Sequence, residues 1–172
     1  MRFEGVVYRA HHPRWAFQPD SGEGAAIYGG RFNPRGMPAL YTSLRMETAW
    51  LEAQQSFAFK AQPMTMCAYQ VACEDMLDLR DPGTQVSHGI SPDHLSCAWE
   101  NLASLKLPVP SWDVARRLMA AGVAGVIVPS FAYRARSADA NAVFWSWERT
   151  PPHRIEVIDD FNRLPGDDRS WR

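Results

Sequence analysis

The sequence predicts an α+β domain. Strand-like and helix-like segments mix along the chain without the regular alternation that builds a parallel βαβ sheet. Thirteen prolines and eleven glycines, spread throughout, break it into many short elements rather than bundle helices. A chain of 172 residues is sized for one domain with its own core, and residues 1–172 are assigned to a single one.

Gly5–Arg9 reads as the opening strand. Residues 11–30, rich in Pro, Gly and polar side chains, read as a long loop, and loops of that length in compact domains are usually functional. Ala39–Thr42 is a second short strand. Ser43 is then expected to cap a helix from Leu44 to Phe57, its hydroxyl accepting from an orphan backbone N–H. On that helix Met46, Ala49, Trp50, Ala53 and Phe57 share the expected core face. Leu44 and Leu51 form a minor stripe, and Glu52 falls between the two, beside Arg45 and Ser56, at the border of a cleft.

Met64–Val71 is a strand candidate, followed by a weaker one at Met76–Leu79. Ser91-Pro92-Asp93 combines a cap, a proline at the first helical position and an early acid, and the helix it opens is expected to run to Leu105. Ser111 is expected to cap another helix, ended by Gly122, with Val114, Leu118 and Ala121 on one side. Val123–Val128 is an apolar run beside Pro129, hence a buried strand. A polar loop over 131–140 leads to strands at Ala142–Trp147 and Arg154–Ile158.

Composition narrows the functional classes. A net charge of −1 gives no general attraction for nucleic acid or anionic membrane. Three irregularly spaced cysteines, Cys67, Cys73 and Cys97, argue against a disulfide framework and for a reducing compartment. The first residues lack the apolar run of a signal peptide and no segment approaches a membrane span, so the cytoplasm is the expected location. The five histidines show no metal-ligand spacing, so no metal is expected. His11 lies near Arg9 but is expected to be solvated. Cys67 and Cys97 read as packing, and the seven tryptophans as core and interface material.

The densest chemical signal is Tyr28-Gly-Gly-Arg-Phe-Asn33, followed by Gly36, Tyr41 and Glu52. Gly29 and Gly30 let backbone approach a ligand closely. Arg31 offers a planar fork of donors suited to phosphate oxygens, and Asn33 can fix the turn through a side-chain-to-backbone bond. Spacing alone describes a Gly-rich turn carrying an Arg, a pattern shared with tight surface turns.

The order of motifs says more. Val7-Tyr8-Arg9, Gly30-Arg31-Phe32-Asn33 with Gly36, Leu40-Tyr41-Thr42-Ser43 and Ala49-Trp50-Leu51-Glu52 are followed by Gly125-Val126-Ile127-Val128-Pro129-Ser130 and Asn141-Ala142-Val143-Phe144. Together, over about residues 5–160, they resemble the RES domain. The Arg, Glu and Ser that give that family its name match Arg31, Glu52 and Ser130; Phe32 stands where many relatives have Trp. The resemblance implies an ADP-ribosyltransferase-like core of small β-sheets flanked by helices, with a cleft for NAD between them. It also implies a toxin of a toxin–antitoxin pair that depletes NAD by hydrolysis or phosphorolysis, or transfers ADP-ribose to a protein. The implied partner is an antitoxin with an Xre-type helix-turn-helix domain. NAD would be the substrate, with no resident cofactor.

The residues fit those roles. Breaking the nicotinamide–ribose bond leaves an oxocarbenium-like sugar, which a carboxylate can stabilise as in glycoside hydrolysis; Glu52 is the candidate, with Arg31 and Tyr41 completing the catalytic set. Arg9 and Arg31 are expected to hold the pyrophosphate. Tyr28 and Tyr41 offer faces for a base and a hydroxyl for ribose or phosphate. Ser130, just past a buried strand, and Asn141 are the remaining binding candidates. A non-catalytic module holding a phosphorylated ligand or nucleic acid through Gly29-Gly30-Arg31 is the alternative of a different class. The near-neutral charge disfavours its nucleic-acid form, and self-association is left open.

Overall fold

The computed structural model describes residues 1–54 and 62–171. Within them seven strands form one mixed sheet: β1 (Phe3–His11), β2 (Leu40–Ser43), β3 (Thr65–Cys73), β4 (Met76–Asp78), β5 (Gly125–Pro129), β6 (Ala140–Phe144) and β7 (His153–Val157). Among the described residues six α-helices accompany them: α1 (Glu23–Tyr28), α2 (Met46–Ala53), α3 (Pro82–Ser87), α4 (Pro92–Ser96), α5 (Trp99–Ser104) and α6 (Pro110–Ala120). The class is α+β, consistent with an ADP-ribosyltransferase-like core. Among the described residues no helix is long and apolar enough to cross a membrane.

The strand order is β4-β5-β6-β2-β1-β3-β7. Only β4 and β5 run parallel; the other neighbours are antiparallel. At its middle the sheet is nearly two. β1 pairs with β3 along its whole length, from Phe3↔Cys73 to His11↔Thr65, but with β2 only at Tyr8↔Ser43. Beyond that pair β1 and β2 diverge, leaving a hollow between two half-sheets.

The strong sequence signals locate the core. β5 is buried on both faces, which is why it reads as an unbroken apolar run. Its residues alternate between two packed layers, as strand geometry requires. Val126 and Val128 pack with Phe32, Leu95, Val114 and Leu118, and Ile127 with Leu40, Tyr69 and Phe144. α6 ends as expected: Gly122 takes φ +84°, and the N–H groups of Val123 and Gly122 donate to the carbonyls of Leu118 and Met119, a Schellman closure that glycine permits.

Several expectations are overturned. Residues 11–30 are not one loop but hold a short 3-10 turn at Pro13–Trp15 and helix α1. Ser43 does not cap α2. It is the last residue of β2, and α2 starts at Met46 without a side-chain cap. The expected core face of α2 is also turned: Met46 and Trp50 are 52% and 41% exposed, whereas Thr48 and Ala49 are buried. Thr48 Oγ, on the buried face, donates to the buried carboxylate of Asp139 at 2.6 Å, a partner 91 positions along the chain. Phe57 and Ser56 lie outside the described residues.

The helix expected from Ser91 to Leu105 is broken at Cys97, whose ψ of 149° is extended. Ser91 does cap α4, in a reciprocal box with His94. α6 begins at Pro110, and Ser111 is an interior residue whose hydroxyl donates to the Arg31 carbonyl rather than capping. Ala121 is exposed, and Ala115 joins Val114 and Leu118 on the buried face instead.

Candidate active site

Two lobes of about 310 and 350 Å3 meet at Arg9, Tyr41, Glu52 and Asn141. Each lies within the ~300–1,000 Å3 of small-molecule sites. The first occupies the hollow where β1 and β2 part, lined by Tyr8–His11, Tyr41–Ser43, Ala49 and Ala53. The second opens towards α1 and α5 and is lined by Tyr28, Gly29, Gly30, Arg31, Trp99, Glu100 and Phe131. Arg31 and Glu52, 21 positions apart in sequence, therefore face one cavity.

Glu52 reaches the junction because it lies three and four residues after Ala49 and Thr48, so the three share the sheet-facing side of α2. It is not placed between two apolar stripes, and the neighbouring Arg45 pairs with Glu47 and Asp139 at 3.6 and 3.8 Å. Glu52 Oε1 accepts from the Ser130 hydroxyl at 2.6 Å and the Asn141 amide at 2.5 Å. Asn141 Oδ1 in turn accepts from the Ser43 hydroxyl at 2.7 Å. The register explains the convergence: Asn141 on β6 sits between Ser43 on β2 and Val128 on β5, and Ser130 follows directly after β5. With its oxygen holding Ser43 and its amide on Glu52, Asn141 has one orientation, and so has the carboxylate.

Asp139 secures the same corner. Its Oδ1 accepts from Thr48 and its Oδ2 from the Arg136 N–H at 2.7 Å, and its carbonyl accepts from the Ser130 N–H at 2.9 Å. The bonds from the Thr48 hydroxyl, foremost, and the Arg136 N–H hold the Asp139 carboxyl below its ordinary range.

Arg31 stands on a two-residue turn closed by the Gly30↔Asn33 bridge. Gly30 is required there by space: a Cβ would lie 2.5 Å from the Tyr41 hydroxyl and 2.7 Å from Asn33 Oδ1. Asn33 is fully buried; its amide donates to the carbonyls of Ala25 and Met37 at 2.8 Å each. The side chain of Arg31 leaves the turn towards the C-terminus of α4, where Nη1 donates to the carbonyls of Leu95 and Cys97 at 3.2 and 2.6 Å. A cation suits that helix end, and this contact occupies the break between α4 and α5. The guanidinium lies 4.4 Å from the Phe131 ring centre. Burial lowers its pKa, while Cys97, Glu52, Tyr41 and Glu100 act in the opposite sense.

Arg9 is held in a similar way, Nη1 donating to the carbonyls of Pro19 and Ser21 at 2.9 Å each. Burial pushes its pKa down, with Tyr69 the first group to oppose it. Both guanidinium groups expected to hold the pyrophosphate are seated on backbone carbonyls while lining the cavity. Tyr28, 68% exposed, edges the second lobe. The Tyr41 hydroxyl is tied into the turn that carries Arg31. It accepts from the Phe32 N–H at 2.9 Å and donates to Asn33 Oδ1 at 2.6 Å, and burial raises its pKa. Tyr41 also lines both lobes. Tyr41→Phe should therefore cost about 1–3 kcal/mol of stability, because a buried donor and acceptor lose their partner; urea unfolding midpoints measure this.

Sequence reasoning passed over Trp99, Glu100 and Phe131 and set His11 aside. His11 is not solvated but buried, with Nδ1 3.1 Å from the His12 carbonyl and Nε2 3.7 Å from Cys67 Sγ, and burial lowers its pKa. Its place in the β1 alternation, two residues after Arg9, was the available signal. Ser43, read as a cap, instead orients Asn141. Among the described residues, no three His, Cys, Asp or Glu side chains group as a metal site requires.

Comparison with curated proteins yields no match. The family model of the RES domain matches residues 6–167, an interval that contains every residue of the cavity described above. The chain belongs to the RES domain family.

Proposed function

We propose that this RES-domain protein cleaves NAD at the nicotinamide–ribose bond. The observation that carries the reading is the carboxylate of Glu52, oriented by Ser130 and Asn141, in one cavity with Arg9 and Arg31. The nicotinamide ribose sits at the junction of the lobes, where Glu52 holds its hydroxyls and stabilises positive charge developing at the anomeric carbon. The ring of Tyr41, which lines both lobes, supports the nicotinamide. The pyrophosphate lies between Arg9 and Arg31. A guanidinium has five N–H donors, so seating Nη1 on carbonyls aims the rest of the fork without exhausting it. As the C–N bond breaks, its electron pair leaves with neutral nicotinamide, and an oxygen of water, which gives up a proton to solvent, or an anionic oxygen of phosphate bonds to the anomeric carbon.

NAD is a substrate in this reading, not a resident cofactor. The biological role that follows is that of a toxin held in check by an antitoxin with an Xre-type helix-turn-helix domain, and this part rests on family membership alone. Transfer of ADP-ribose to a protein would use the same site with a different acceptor.

Purified protein incubated with NAD, with and without phosphate, tests the proposal. The expected result is release of nicotinamide together with ADP-ribose, or with ADP-ribose-1″-phosphate when phosphate is present. A covalently modified protein in place of the free sugar would identify a transferase. Unchanged NAD in the presence of folded wild-type protein, with and without acceptor, overturns the proposal.

A further inference from the structure

A third concavity of about 920 Å3 lies beyond the second lobe, between the end of α1, the turn that follows it and helices α5 and α6. It shares Tyr28, Gly29, Trp99 and Glu100 with that lobe. The three hollows thus form a series, with Glu52 at the first junction and Trp99 at the second. A dinucleotide with its nicotinamide ribose at Glu52 and its phosphates between Arg9 and Arg31 extends onward past Arg31, through the second junction.

The chemistry of the groove suits what arrives there. Trp99, Trp112 and Tyr28 supply aromatic surface, and flat bases stack on such faces. Trp112 is held firmly, its indole N–H donating to the Gly30 carbonyl at 2.8 Å, so one wall is tied to the turn that carries Arg31. Trp99 is the first residue of α5, just past the break that Arg31 occupies. Arg35, Glu100 and Lys106 also line the groove, and their donors and acceptors match the ribose hydroxyls and the hydrogen-bonding edge of a base.

We propose that this groove is the adenosine subsite of the NAD site, with Trp99 and Tyr28 as the platform for the adenine ring. It rests on the NAD reading above and goes beyond it by assigning the half of the substrate that takes no part in bond breaking. Two of the tryptophans that sequence assigns to core and interface thereby line a binding surface.

The test compares NAD with nicotinamide mononucleotide, which carries the same scissile bond but no adenosine, in wild type, Trp99→Ala and Trp99→Phe. Trp99→Ala is expected to raise KM for NAD about tenfold, the size of one lost base–aromatic stack, with the loss falling on KM rather than kcat. The penalty should be about tenfold larger for NAD than for the mononucleotide, and Trp99→Phe should recover most of it. Calorimetric titration with 5′-AMP reads the subsite without turnover: wild type and Trp99→Phe should bind it, Trp99→Ala about tenfold more weakly. Equal penalties on both substrates, or 5′-AMP binding that is absent or indifferent to Trp99, overturn the subsite and leave the groove to another occupant such as a partner protein. Should wild type fail to cleave NAD, the cleavage proposal falls, and the 5′-AMP titration still decides this one.

Discussion

Glu52→Gln should lower kcat/KM for NAD by about 10²–10³, the usual effect of removing one preorganised electrostatic group from a transition state, or about 3–4 kcal/mol. The substitution isolates charge from shape. A glutamine carbonyl oxygen can still accept from Ser130 and Asn141, whose bonds to Oε1 are 2.6 and 2.5 Å, so the corner between α2, β5 and β6 keeps its geometry. What disappears is the negative charge facing the ribose. Thermal unfolding should shift little, because Glu52 is only half-buried and Asp139 continues to hold Thr48 and the 131–139 loop. Steady-state turnover with NAD, beside an unfolding curve, provides the measurement. A folded variant with wild-type turnover would show that the carboxylate has no part in the chemistry.

The contrast between Glu52 and its surroundings shows what the sequence can convey. Features set by neighbours in the chain are legible: the buried run of β5, the glycine closure of α6, the capping of α4. So is the family pattern that brings Arg9, Arg31, Tyr41, Glu52 and Asn141 to one cavity, with Ser130 bonded to Glu52 at its edge. Features set by partners far along the chain are not. Ser43 looks like a helix cap because serine followed by an apolar run is a local cap signal. Its hydroxyl is taken by Asn141, 98 positions away. The face of α2 follows Thr48 and Asp139, 91 positions apart, rather than the hydrophobic stripe. The break between α4 and α5 has a capped start but no local stop signal, since the carbonyls there meet Arg31 from across the fold. The hollow between the half-sheets arises because β1 continues past Tyr8 with β3 while β2 turns away, and neither strand records that divergence in its residues.

Arg31→Ala should relieve the growth inhibition expected when the wild-type protein is induced without a neutralising partner, and it should do so by two routes. The first is chemical: loss of a guanidinium beside the pyrophosphate removes charge-assisted hydrogen bonds that contribute about 1.5–3 kcal/mol each. The second is structural. Nη1 holds the carbonyls of Leu95 and Cys97, and the guanidinium lies against Phe131, a contact of about 0.5–2 kcal/mol. Alanine removes all of these at once, so α4, α5 and the loop after β5 loosen together. Arg31→Lys separates the routes. An ammonium keeps the charge and can still donate to one carbonyl, but lacks the planar fork needed to grip helix and phosphate together. The lysine variant should unfold within about 1 kcal/mol of wild type while its KM for NAD rises about tenfold, with growth partly restored and cellular NAD between the two extremes. Wild-type turnover in a folded lysine variant would assign Arg31 to bracing the fold alone, and the anchoring of the pyrophosphate would then rest on Arg9.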